Sequence, residues 1–316
     1  MMLRLFSSLA FVTASLLCVR VEAEETEVSF AYVPAPNAEA IIIEQPMGRL
    51  TVTGWDKPEV RIVARKRAPN NATLDRLRVN VEMRDGRIRI RTGVRVGDGF
   101  RALPQGAEAA NAAAQSMAID LTVDAPRRVA MSASTWAGDL EASGFRAGAE
   151  LTSAGGEVRA RDIEGRVRTN ALKGRQRLSS IRGDVEADGV TGDLELDTVD
   201  GDTLEAKVVE GQITARDVHT PVVRLLSTSG GIVLIGSLRP GGRYELTALE
   251  GDVHLQLKRA PLSLRASASV RVHSAFPVVP RTPSDATLTR LVGDFLGGGP
   301  SLELTAAHGS VSLDSY

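Results

Sequence analysis

The chain has 316 residues, with 38 Lys and Arg against 39 Asp and Glu, a net charge of −1. Charge so balanced and dispersed argues against a nucleic-acid partner, which needs a concentrated basic face. Aromatics make up 4% of residues and there is one cysteine, which leaves few stacking platforms and no intrachain disulfide or thiolate metal cluster.

Residues 1–23 read as a secretory signal. Arg4 supplies the positive start, Leu5 to Val19 an apolar run, and Val21-Glu22-Ala23 a peptidase site. The run is too short for a membrane span. The mature chain is therefore expected to open at Glu24, exported to the periplasm or medium without a transmembrane anchor. Cys18 follows Leu16-Leu17, which does not fit a lipoprotein signal, so the mature chain carries no thiol.

Residues 24–134 form a β-rich N-terminal region. Ala40 to Gln45, Arg49 to Thr53, Val60 to Ala64, Arg78 to Met83 and Arg87 to Arg91 alternate as strands do, with Asp85-Gly86 a hairpin signal. Residues 93–115 hold Gly97, Gly99, Pro104, Gly106 and an Ala-rich run without periodicity, and read as a mobile insertion. Strands resume at Met117 to Val123 and Val129 to Ser134.

Residues 135–257 carry a turn former every eight to ten residues: Gly138, Gly148, Gly156, Gly165, Gly174, Gly183, Gly192, Gly201, Gly211, Pro221, Gly231, Gly241 and Gly251. Around Gly183, Gly192, Gly211 and Gly251, apolar residues fall two before, two after and four after the glycine. Ile181-Arg182-Gly183-Asp184-Val185-Glu186-Ala187 is one example, and Val190-Thr191-Gly192-Asp193-Leu194-Glu195-Leu196 another. That is strand alternation with one dry face. The glycine is either an inward slot in a continuous strand or a positive-φ corner. Gln176 is the poorest copy, a polar residue at an inward slot. Units this short bury a core only by stacking, so the fold class is all-β, a β-solenoid of glycine-centred strand repeats. Two units per coil would set Arg168 beside Glu186 and Arg177 beside Glu195; three would stack Glu157, Asp184 and Gln212, which gains nothing.

Residues 258–316 read as C-terminal repeats and cap. Leu262 to Leu264 and Ser269 to Val272 continue the alternation. Pro277, Pro280 and Pro283 break it, and Leu288, Leu291, Val292, Phe295 and Leu296 fall at the spacing of a short amphipathic helix. Ser301 to Thr305 and Ser310 to Leu313 are closing strands.

No constellation reads as an active site, and none as a metal or cofactor site. Asp184, Asp193 and Asp202 each follow a glycine nine residues apart, but lack the two further glycines of calcium-binding β-rolls. Such an aspartate is an ordinary corner residue. Arg182-Gly183-Asp184 spells an adhesion tripeptide within a chain rich in Gly-Asp pairs. His219, His254, His273 and His308 stand apart in sequence. Asp139, Glu141, Glu250 and Asp252 belong to the general run of outward charges, and Ser229-Gly230 lacks the context of a nucleophile elbow.

Ser153-Ala154-Gly155-Gly156-Glu157-Val158, Ile163-Glu164-Gly165-Arg166-Val167 and Ser229-Gly230-Gly231-Ile232-Val233 resemble the units of an adhesin-like family of bacterial envelope proteins of unknown function, of head-GIN type. Gly48 to Asp56 is similar to that family's N-terminal strand and Ala307 to Val311 to its final repeat. The resemblance implies a β-helix-like fold at the cell envelope. A non-enzymatic interaction or structural protein is the expectation, with an unidentified protein or glycan partner. The alternative is a polysaccharide-acting lyase or hydrolase.

Overall fold

The computed structural model of the chain describes residues 25–102, 117–277 and 289–316. The expected signal, residues 1–23 with Cys18, lies outside them. The described chain is all-β: apart from one helical turn, Asn71–Leu74, its elements are strands, arranged as a 13-stranded and a 14-stranded sheet. From Leu140 to Leu257 successive strands enter the first and second sheet alternately, and neighbours within each sheet run parallel. In the first sheet Leu140, Val158, Gln176, Leu194, Ile213, Ile232 and Val253 are successive register partners. Two sequence units thus make one round of chain. Arg168 accordingly meets Glu186 at 2.6 Å, and Arg177 meets Glu195 at 2.9 Å.

The alternation holds at the centre of each unit. Val185, Ala187, Leu194, Leu196 and Val253 are buried, while Glu186, Glu195 and His254 face outward. It fails at one position. A unit of nine residues is odd and strand alternation has period two, so each unit must break parity once. First-sheet strands do this mid-strand, at residues in the left-handed region: Asp162 (φ 51°), Ser180 (φ 54°), Thr198 (φ 57°) and Asp217 (φ 49°). The next residue is re-aimed inward, so Ile163, Ile181 and Val199 are buried. Second-sheet strands break parity at the last residue before the corner. There the apolar residue two before the glycine stays outside: Leu172, Val190, Val209 and Leu249 are each 41–45% exposed.

Most corners between second-sheet and first-sheet strands use the positive-φ form of glycine. At Gly174 (φ 118°) and Gly192 (φ 131°) a Cβ would lie 2.1 and 2.3 Å from the carbonyl oxygen of the glycine one round back, and the column continues to Gly251. One corner falls at Gly230, not at Gly231 as the spacing suggests. Gln176 at its inward slot has a hydrogen bond at each of its polar atoms. Its Oε1 accepts from Thr169 Oγ1 at 2.6 Å, and its Nε2 donates to the Asp188 carbonyl at 2.8 Å.

Both ends depart from the parallel pattern. At the N-terminal end Glu25–Pro34, Glu59–Ala68 and Ala118–Pro126 pair antiparallel. The expectation of an irregular insertion from residue 93 is corrected there. Arg87–Val96 runs on through Gly93 and forms a hairpin with Gly99–Ala102. The Phe100 ring occupies the space above Gly93, where a Cβ would sit 2.6 Å from it. Residues 103–115 lie outside the described residues.

At the C-terminal end the expected helix is a strand. Thr289–Phe295 runs antiparallel to Leu262–Ala268, whose edge it completes, and Phe295 meets Phe276 edge-to-face at 5.2 Å. Backbone groups of an open edge outweigh the weak helical spacing of a segment that contains Gly293. The closing strands Ser301–His308 and Ser310–Ser315 are not outermost. They slot beside Arg243–Glu250 and Val253–Leu257, inside the strands that precede them in sequence.

Candidate functional site

The outward residues two before each second-sheet corner line up across strands. Trp136, Ala154, Leu172, Val190 and Val209 form an apolar ridge along the sheet. Parallel to it runs a polar column, in which Glu44, Ser134, Thr152, Asn170, Asp188 and Lys207 are successive partners. Between the two, the inward column carries Thr135, Ser153, Ala171 and Gly189, small enough to leave a trough. The result is a groove of about 740 Å³ crossing six strands, from Ala40–Met47 to Thr203–Glu210. At the ~4.8 Å spacing of paired strands it is about 24 Å long.

Its chemistry is that of a binding surface. One wall is apolar, the floor is small, and the other wall offers hydroxyl, amide and carboxylate groups. Burial raises the Asp188 carboxyl above the ordinary carboxylate range, while the Lys207 ammonium opposite pulls it down. Lys207 is itself held by Glu205 at 2.6 Å.

The other residues singled out in the sequence are placed as follows. Asp184 and Asp202 follow corners on one edge of the stacked sheets and Asp193 follows a corner on the other, so the three are not brought together. Asp184 Oδ1 accepts the Thr203 backbone N–H at 3.0 Å, and Asp193 Oδ1 that of Gln212 at 3.1 Å. Asp139 and Asp252 do the same for Glu157 and Ser310. These carboxylates fasten one corner to the next. Arg182-Gly183-Asp184 therefore lies on an edge with its carboxylate engaged. Glu141 pairs with Arg161, and Glu250 accepts from Ser229 Oγ.

His254 and His273, apart in sequence, come to either side of Asp314, at 3.6 and 4.0 Å. Ser312 Oγ is 2.6 Å from His254 Nδ1, the nitrogen that also faces Asp314, so serine and carboxylate compete for one atom and no proton relay forms. His219 and His308 lie elsewhere, His308 Nδ1 being 3.3 Å from the Leu249 carbonyl oxygen. Among the described residues no group of three or more His, Cys, Asp or Glu could hold a metal ion.

No family model matches the chain, and no curated protein matches it in sequence. Solved structures align over most of its length. A candidate cell adhesion protein from Clostridium sporogenes is 9% identical over 92% of this chain and 100% of its own, with a TM-score of 0.23. A candidate adhesin from Parabacteroides merdae is 11% identical over 92% and 96%, with a TM-score of 0.40. A candidate lipid-binding protein from Parabacteroides distasonis is 11% identical over 90% and 96%, with a TM-score of 0.43. Similarity of this degree says nothing about the ligand of the groove.

Sequence reasoning missed the ridge because Val190 and Ile181 hold the same place relative to their glycines. A local signal existed. The residue before Ile163, Ile181 and Val199 is Asp162, Ser180 or Thr198, whereas that before Leu172 and Val190 is Ala171 or Gly189. At Asp162, Ser180 and Thr198 a polar residue able to bond its own backbone marks the left-handed bend, but Thr135 and Ser153, which precede Trp136 and Ala154, are polar without one.

Proposed function

We propose that this chain is a non-enzymatic, exported β-solenoid scaffold of the bacterial cell envelope. In this reading it holds an elongated partner along the groove of its second sheet. The observation that carries it is the ridge from Trp136 to Val209, an unbroken apolar line along one wall of the groove. A groove of that length suits a chain-like partner that meets several strands at once. The corner aspartates Asp139, Asp184, Asp193 and Asp252 support a non-enzymatic reading, since each is committed to a backbone N–H.

Two measurements test the proposal. Mature protein, and a Leu172→Asp, Val190→Asp variant of equal unfolding midpoint, are exposed to isolated envelope fractions and to a panel of envelope glycans. Retention of a component by the wild type and its loss in the variant is expected. Binding that the variant leaves unchanged would remove the groove from the function. Release of oligosaccharide from any glycan would replace the scaffold by the enzyme alternative. For export, the secreted chain is expected to begin at Glu24.

A further inference from the structure

The strand Glu25–Pro34 is outermost in the first sheet and is paired on one side only. Its outward residues Val28, Phe30 and Tyr32 are 45%, 68% and 62% exposed, an apolar and aromatic strip on an edge strand. Their partners across the ladder are Arg65, Val63 and Arg61. Beyond Arg61 the ring of Trp55 carries two cations, with the Arg61 guanidinium 5.4 Å and the Lys57 ammonium 4.8 Å from its centroid. Aromatic rings and basic heads thus share one face at one end of the stack.

That end is also where basic charge collects. Residues 59–102, which supply the next-to-outermost strand of the first sheet and the terminal strands of the second, contain twelve Lys and Arg against five Asp and Glu. The outermost first-sheet strand adds Glu25 and Glu27, in a chain whose net charge is −1. The opposite sign lies further along: residues 184–217 hold eleven Asp and Glu against two Lys and Arg. The first-sheet strand in this acidic stretch, Leu194–Asp200, is seven strand spacings from Glu25–Pro34, about 34 Å. That exceeds the ~8–10 Å over which salt lets exposed charges act. The molecule therefore presents its basic end and its acidic middle as separate fields.

We propose that the N-terminal end seats on an anionic phospholipid surface, with Phe30, Tyr32 and Trp55 at headgroup depth and Arg65 and Lys57 at the lipid phosphates, while Arg61 stays paired with Asp124 at 2.6 Å. Tyr and Trp favour that depth because they join an apolar ring to a polar tip, and long basic side chains reach from an apolar footing to charged heads. Neither the aromatic strip nor the basic charge is strong alone; stable attachment needs both, as it does for other peripheral anchors. Repulsion of the acidic stretch would stand the molecule end-on and leave the groove of the second sheet free.

The test is flotation of mature protein with vesicles of phosphatidylglycerol and phosphatidylcholine in equal parts, against phosphatidylcholine alone. Binding to the first, its loss at high salt and no binding to the second are expected. Phe30→Ser with Tyr32→Ser should lower partitioning by roughly tenfold or more, and Arg65→Gln by about fivefold. Val270→Ser, equally exposed at the other end, should change nothing. In a Trp136→Phe background, the emission of Trp55 should shift to the blue on the anionic vesicles, a readout that leaves the strip intact. Equal binding to neutral vesicles, no binding at low salt, or indifference to the Phe30 and Tyr32 changes would each overturn the proposal. So would light scattering that finds a lipid-free dimer which those changes make monomeric, because the strip would then join two copies.

Discussion

Gly155 and Gly156 stand side by side at one corner and answer to different constraints. Gly156 has a φ of 112°, and a Cβ there would lie 2.2 Å from the Gly138 carbonyl oxygen. At Gly155 the nearest atom to a Cβ is 3.4 Å away. Gly156→Ala is expected to cost about 3 kcal/mol or more, from strain and forced separation of two rounds, and Gly155→Ala less than about 0.5 kcal/mol. Denaturant unfolding of both variants measures the difference. Gln176 offers a second test. Gln176→Leu leaves the Thr169 hydroxyl and the Asp188 carbonyl without a partner and should cost about 1–3 kcal/mol. Adding Thr169→Val removes one stranded group and should recover part of the loss. A double variant as unstable as the sum of its singles would mean that the hydrogen bonds contribute nothing. Asp188 itself has a raised folded pKa. Its protonated form favours the fold, so its contribution is present below about pH 4 and is lost as pH rises through the raised value. Asp188→Asn should therefore raise the unfolding midpoint at neutral pH and leave it unchanged in acid.

Within a strand, the side that faces the core decides the cost of a change. Val185 is buried between its partners Val167 and Leu204, while Glu186 reaches Arg168 across the surface. Val185→Asp buries an unpaired carboxylate, a loss of several kcal/mol. Glu186→Val gives up an exposed ion pair and keeps strand propensity, so stability should move by less than about 1 kcal/mol. The same contrast is expected for Leu194 against Glu195. The rule changes at the strand end: Ile181→Asp should be severe and Val190→Asp mild, although both lie two residues before a glycine. Equal unfolding midpoints for that last pair would refute the parity break that builds the ridge.

The molecule as a whole joins a stack of parallel strands to antiparallel ends, and the ends carry what is distinctive. Hydrogen-bonded corners and columns of paired charge hold the middle, with Val, Leu, Ile and Ala closing the space between the sheets. Loss of the antiparallel strands Leu262–Ala268 and Thr289–Phe295 would uncover the edge of Ser301–His308 and break the Phe276 contact with Phe295. A chain lacking residues 258–300 should therefore aggregate on concentration, which light scattering would detect.

Sequence by itself determined the strand character, the length of the unit and the inward face at Val185 and Leu194. Each of these follows from local alternation and from the steric freedom of glycine, which neighbours in the chain already express. Only the tertiary structure decided where parity breaks, because the choice between a left-handed bend at Ser180 and an outward Val190 depends on which sheet the strand joins. It also decided that Thr289–Phe295 is a strand and that the last strands lie inside the cap. Those outcomes depend on which edge stands open once the rest of the chain is in place, and the groove exists because the outward residues of six strands fall into line.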